Sequence, residues 1–291
     1  YVNCDAKAAE ELGADVTGAA ASLGEEGPPT GACDRGGPKE ESPAPVEGPP
    51  ADAWVAWGTC RWRVDPGGTL WIAPAPGQTR GDAGGPSEER VPWRRRRGEV
   101  KAVRVVGTVR LGGDATGLFC GMSRCERMDL AGLDTSRVTD MSRLFDGCGS
   151  LAALDTSGWD TSAVRDMRRM FWGCRSLAVL DTSAWDTSQV TDMERAFERC
   201  SSLSSLDLSG WDTSRVRSLR CTFSGCRSLA ALDVSAWETS QAEDLRGMFC
   251  GCSSLSFLDL SGWDMSGALD VSEMFRSCTG LSGVRLGARF S

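Results

Sequence analysis

The chain has 291 residues, 41% of them apolar, and not one histidine. That length holds one or two domains, and the missing imidazole removes the commonest general base and zinc ligand. The formal charge of −8 is carried by residues 1–53, where eleven acidic residues face only Lys7, Arg35 and Lys39. The rest is balanced, which gives no net-charge case for a nucleic-acid partner. No run approaches the roughly 18 apolar residues of a membrane-spanning helix.

Residues 1–53 also hold seven of the twelve prolines, among Ala, Gly and Glu with few large apolar side chains. Such a segment buries too little surface to offset its ordering entropy and is predicted to be a disordered acidic tail. In residues 54–112 the pattern changes. Trp62 and Val64, then Pro66-Gly67-Gly68, then Leu70 and Ile72 read as a β-hairpin, and Val100 to Val109 as a further strand, which together predict a small β-rich cap. Between them, Arg94 to Arg97 carry no interleaved aromatics and read as a solvated connection rather than a polyanion site.

Residues 113–291 are periodic. Trp159, Trp185, Trp211, Trp237 and Trp263 stand 26 residues apart, with Leu133 one period earlier. Phe145, Phe171, Phe197, Phe223, Phe249 and Phe275 form a second column, and Cys148, Cys174, Cys200, Cys226, Cys252 and Cys278 a third. Repetition at a fixed period of this length is the mark of a solenoid, in which each turn buries its faces against its neighbours.

Within one unit, Val164, Met167, Met170, Phe171 and Cys174 recur at three- and four-residue steps, which predicts a short helix. Thr161 or Ser162 would cap it, Asp166 would favour its positive end, and Gly173 would mark its exit. Leu203, Leu206 and Leu208 then follow the spacing of a leucine-rich-repeat strand, with Trp211 in the inward slot that often holds Asn. No proline follows Pro92, as uninterrupted parallel pairing requires. The predicted class is therefore α/β: a right-handed leucine-rich-repeat solenoid of about six 26-residue coils behind a small β-rich amino-terminal cap.

The units WDTSAVRDMRRMFWGCRSLAVLDTSA (159–184) and WDTSQVTDMERAFERCSSLSSLDLSG (185–210) resemble the DUF285 repeat of BspA-like leucine-rich-repeat surface proteins, over residues 118–286. Residues 57–77 and 92–111 are similar, more loosely, to the β-rich cap that precedes such repeats in some bacterial members. The resemblance implies a secreted or wall-attached bacterial protein, some relatives of which act as adhesins for host matrix proteins or other bacteria. The chain starts at Tyr1 without a charged-then-apolar leader or initiator Met, and shows no wall-sorting motif. It ends at Ser291 just after a strand-like VRLG, so a trimmed chain that continues beyond Ser291 is expected.

Three columns invite functional readings. Asp155, Asp181, Asp207, Asp233 and Asp259, with Asp129 before them, should project from the sheet. Like charges on adjacent strands repel, so something must compensate: hydrogen bonds from nearby Ser and backbone amides (the favoured reading), arginines, a basic partner or calcium. These residues are the candidate binding site. Column cysteines lie within disulfide reach but point in parallel, which favours free buried thiols; Cys120, Cys125, Cys221 and Cys250 are off-column and could pair. The Trp column reads as core rather than a sugar-stacking platform.

Carboxylates that repeat identically in every coil make a scaffold rather than an active site, so no catalysis, cofactor or metal is expected. The sequence predicts a monomeric, non-catalytic module that binds an extracellular protein or cell-surface ligand, with no nucleic acid and no membrane insertion. A bacterial surface adhesin leads; a structural stalk displaying another domain and an intracellular scaffold are the alternatives.

Overall fold

The computed structural model describes residues 53–85 and 91–290. The predicted disordered tail, apart from its last residue, lies outside them. Twelve strands appear among the described residues: β1 Val55–Trp57, β2 Cys60–Val64, β3 Thr69–Pro74, β4 Arg80–Asp82, β5 Ala102–Val105, β6 Thr108–Arg110, β7 Arg127–Asp129, β8 Leu133–Asp134, β9 Ala153–Leu154, β10 Val179–Leu180, β11 Phe257–Leu260 and β12 Gly283–Leu286. The predicted hairpin is β2 and β3, antiparallel, with Val64 facing Leu70. The predicted strand from Val100 to Val109 is two strands, β5 and β6, separated by Gly107 at a φ of 71°.

From β3 onward all pairing between strands is parallel. β3 pairs with β5 and β5 with β7 on one face, while β4, β6 and β8 form a second line. The inward column Leu70, Val103, Met128, Leu154, Leu180, Leu206, Leu232, Leu258 and Val284 is buried throughout. It runs through the cap into the repeats without a break. The six regular units thus sit inside a solenoid of about eight turns, and the cap's second strand line is already its first turn.

The predicted helix is corrected. No α-helix occurs among the described residues; the segment from Val164 to Cys174 is a string of tight turns. Met170 N, Trp172 N and Cys174 N donate to the carbonyls of Met167, Arg169 and Phe171. The alternate amides of Met167, Arg169, Phe171 and Gly173 donate to Asp192, Glu194, Ala196 and Glu198 of the next coil at 2.8–2.9 Å. An α-helix would spend all of these donors within its own turn. Here half of them stitch the coils together, and three-residue turns keep the same apolar side chains pointing inward at nearly the spacing a helix would use.

Two positions per coil adopt left-handed backbone. One is held by Gly121, Gly147, Gly173, Gly225 and Gly251, but by Arg199 and Ser277 in two coils; the other by Gly117 and Gly247 in two coils and otherwise by Arg143, Arg169, Arg195, Cys221 and Glu273, with φ of 51–62°. Non-glycine residues resist this region by about 1–2 kcal/mol each, a cost sustained by the surrounding inter-coil bonds. The roles assigned to the supposed helix ends change accordingly. Thr161 caps nothing: it is buried, and its hydroxyl donates to Asp186 O and accepts from Asp186 N of the next coil. Asp166 sits in a parallel bridge line between Asp140 and Asp192 rather than in a first helical turn.

The interior is a set of ladders. Phe119 through Phe275 stack with centroids 5.2–6.0 Å apart and planes within 18°. Trp93 fills the slot one coil before Phe119, stacked at 6.3 Å, and receives Trp57 and Trp62 edge-on. Trp185, Trp211, Trp237 and Trp263 form a parallel stack, and the whole Trp column is buried, as expected of core. Each column thiol donates to a Phe carbonyl one coil back, Cys174 to Phe145 O at 3.2 Å and Cys200 to Phe171 O at 3.1 Å. Burial pushes the Cys200 thiol up to about 12. All described cysteines are free, the off-column Cys120, Cys125, Cys221 and Cys250 included. Among the described residues no helix is long and apolar enough to cross a membrane.

Candidate functional site

The outward side chains on the first strand face fall into one row, fixed by register. Arg63 faces Trp71, Trp71 faces Arg104, and Arg104 faces Asp129. At intervals of 26 residues the row continues through Asp155, Asp181, Asp207, Asp233 and Asp259, and Asp259 faces Arg285. The predicted column is therefore real as geometry, and the fold places it on the surface beside buried Leu and Thr positions.

Each of these aspartates closes a small loop of its own. The Oδ1 atoms of Asp155, Asp181, Asp207, Asp233 and Asp259 accept the amide of the serine two residues on, at 2.9–3.0 Å. The hydroxyls of Ser235 and Ser261 add bonds of 2.7 and 2.6 Å. This is an Asx-turn, and the serine bonds hold these carboxyls below the ordinary carboxylate range. The hydrogen bonds among the compensations foreseen from sequence are thus present, and an arginine is present at one end: Arg285 lies 3.0 Å from Asp259. Asp155, Asp181, Asp207 and Asp233 form no ion pair among the described residues.

A second acidic row runs parallel to the first. Asp160, Asp186, Asp212 and Asp264 accept the amides of Ser162, Ser188, Ser214 and Ser266 in the same way. It begins in β4, where Asp82 and Asp134 flank Arg110 at 3.2 Å on either side. A third row behaves differently. Asp140, Asp166, Asp192, Asp244 and Asp270 lie along the bridge line, and here arginines intervene: Arg168 bonds Asp166 and reaches Asp192 at 3.7 Å, and Arg220 reaches Asp244 at 3.8 Å. Asp192 is the odd member. Burial first, and the charge of Asp166 next, push it up to about 6 against the Glu194 amide and Arg168.

Sequence reasoning did not single out the basic start of the first row. Arg61 and Arg63 project from β2 on the face opposite Trp62 and Val64. Arg61 lies over the Trp54 ring at 4.3 Å, Arg63 over Trp54 at 5.1 Å and Trp71 at 6.0 Å, and Arg104 over Trp71 at 5.6 Å. The strict alternation in CRWRV was the available signal. The run Arg94–Glu99, by contrast, is a short 3-10 turn in which Arg96 pairs with Glu99 at 2.8 Å.

Several solved structures share detectable similarity with the chain. A leucine rich cell surface protein from Faecalibacterium prausnitzii A2-165 is 13% identical over 80% of this chain and 94% of its own, with a TM-score of 0.22. Leucine-rich repeat proteins from Eubacterium ventriosum ATCC 27560 and Bacteroides ovatus ATCC 8483 are 14% and 15% identical over 81% of this chain in each case, and over 85% and 76% of their own, with TM-scores of 0.23 and 0.31. No curated protein matches. The profile described as "Mycoplasma protein of unknown function, DUF285" matches residues 114–208 and 191–284, more than half of the chain, and the chain belongs to that family.

Proposed function

We propose that this chain is a non-catalytic binding module of a cell-surface protein, which meets a protein or other surface ligand along its outward strand rows. The observation that carries the reading is the contrast between acidic rows. Arginines reach Asp166, Asp192 and Asp244 of the bridge-line row, whereas Asp155, Asp181, Asp207 and Asp233 stand exposed, ordered by their serines and without an arginine ion pair among the described residues. Ordered, repeated like charges on one face suit a partner that supplies the opposite charge by many weak contacts. The resemblance to BspA-like surface proteins supports adhesion to host matrix proteins or other cells as the setting.

The test is saturable binding of the full chain to immobilised fibrinogen, fibronectin and mucin. A variant with Asp155, Asp181, Asp207 and Asp233 all changed to Asn keeps the Ser-amide acceptor and removes the charge. It should lose at least tenfold in affinity at about 0.15 M salt, where screening over roughly 8 Å leaves direct contacts in force. Binding that ignores this variant would move the partner to another surface, and no binding across the panel would favour the structural stalk.

A further inference from the structure

We propose that the outer face of the amino-terminal sheet is a binding site for an anionic polysaccharide, whose sulfate or carboxylate groups are held by Arg61, Arg63 and Arg104. The parallel and antiparallel register puts Arg63, Trp71 and Arg104 side by side on β2, β3 and β5, so the Trp71 ring stands between two guanidiniums. Trp54 adds a second ring against which Arg61 and Arg63 lie. Arg63 and Arg104 stand on either side of β3, two strand spacings or roughly 10 Å apart, so a single ligand that engages both must be extended.

Arginine side chains are costly to order, and stacking on tryptophan fixes them before any ligand arrives. A guanidinium laid on a ring keeps its in-plane donors free, in the fork that matches a sulfate or carboxylate. None of Arg61, Arg63 and Arg104 forms an ion pair among the described residues; the Nε atoms of Arg61 and Arg63 are buried, so a ligand would meet these two arginines at their terminal nitrogens. The carboxylates in the neighbourhood are Asp65 and Asp129. Asp65 accepts Trp71 Nε1 at 2.8 Å and Thr69 N at 2.9 Å, and its charge is also felt by Arg63 without a direct ion pair. Asp129 faces Arg104 and bounds the basic patch where the acidic row begins.

One feature selects a polysaccharide over a single-stranded nucleic acid. Binding of bare bases relies on open aromatic faces, and here guanidiniums lie over the rings of Trp54 and Trp71. What remains is recognition of charge. The proposal deepens the reading of the chain as a binding module, and its failure would leave the matrix-protein result standing.

The experiment uses the full chain and immobilised heparin, with neutral dextran and a single-stranded oligothymidylate of matched charge as the other arms. Heparin should bind saturably and lose affinity steeply with salt. The variant Arg61→Ala/Arg63→Ala/Arg104→Ala should bind at least tenfold more weakly, and Arg95→Ala should bind as before. Arg104→Glu alone, at an exposed position, should weaken binding at least threefold with an unchanged circular dichroism spectrum, which covers the case of a triple variant that misfolds. Replacing the three by Lys should recover less than half of the lost binding energy, because charge returns without the planar fork. Heparin binding that survives both Arg104→Glu and the triple variant, equal binding to dextran, or tighter binding to oligothymidylate through the same arginines would each overturn the proposal.

Discussion

The amino-terminal turns and the regular repeats share one register and treat its two sides in opposite ways. Inward, the cap continues the repeat: Trp93 takes the Phe slot, and Leu70 and Val103 take the Leu slot. Outward, the same row changes from Arg63, Trp71 and Arg104 to a run of aspartates and ends at Arg285. The interior is dictated by stacking, since any coil must match the two beside it. The exterior is free of that constraint, and variation along it is where recognition can be written.

The sharpest way to break the comparison is to strike equivalent inward positions in each region. Phe197→Ala removes a ring stacked at 5.5 and 5.7 Å on its neighbours, and Trp93→Ala removes the ring that receives Trp57 and Trp62. Each should cost about 3–5 kcal/mol by urea unfolding. If cap and repeats are one stack, both variants unfold in a single transition. A separate early transition in Trp93→Ala, seen as hydrogen exchange confined to residues 54–112, would show the cap to be its own unit.

A smaller effect tests the polar stitching between coils, which in the repeats is buried. Thr187 is buried; its hydroxyl donates to Asp212 O at 3.0 Å and accepts from Asp212 N at 2.8 Å. Thr187→Val keeps the shape and strands that amide and carbonyl, at a cost of about 1–3 kcal/mol. A loss under half a kilocalorie would mean that the hydroxyl ladder only fills space.

The Trp, Phe and Cys columns were legible in the sequence, because a column repeated every 26 residues has to stack on itself; the threonine ladder was not, since Thr161 read as a helix cap. The local conformation was not. Val164, Met167, Met170 and Cys174 have helical spacing, yet three-residue turns present nearly the same face, and side-chain pattern alone does not say whether alternate amides close inside the coil or reach the next one. Gly173 pointed to a helix exit, but Arg143 and Arg169, equally left-handed, gave no such cue. At the candidate site the aspartate row was readable, and hydrogen bonds from nearby Ser and backbone amides were the favoured compensation among several; the turn each Asp closes was not read. The arginine–tryptophan ladder was half-readable: alternation put Arg61 and Arg63 on one face, but the register that sets Trp71 beside Arg104 joins strands about thirty residues apart.

The last contrast lies within the acidic rows and is set by pH. Asp192 has its carboxyl raised to about 6 by burial and by Asp166, well above its unfolded value near 3.9. The folded chain therefore holds this proton more tightly than the unfolded chain does, so stability falls as pH rises from about 4 to 6 and stays lower above that. The first row runs the other way. The carboxyls of Asp155 and Asp207 are held low, so the stability they contribute is present above about pH 4 and is lost as pH falls through their folded values. Asp192→Asn retains an oxygen to accept the Glu194 amide, now at 2.8 Å, and removes the buried charge. Because Asp192 is partly exposed and Arg168 stands 3.7 Å away, the gain is discounted for screening to on the order of 1 kcal/mol at pH 7, and it should vanish at pH 4. Melting temperatures of the two proteins at pH 4 and 7 measure it, and a variant equally or less stable at pH 7 would show that Arg168 already neutralises the site.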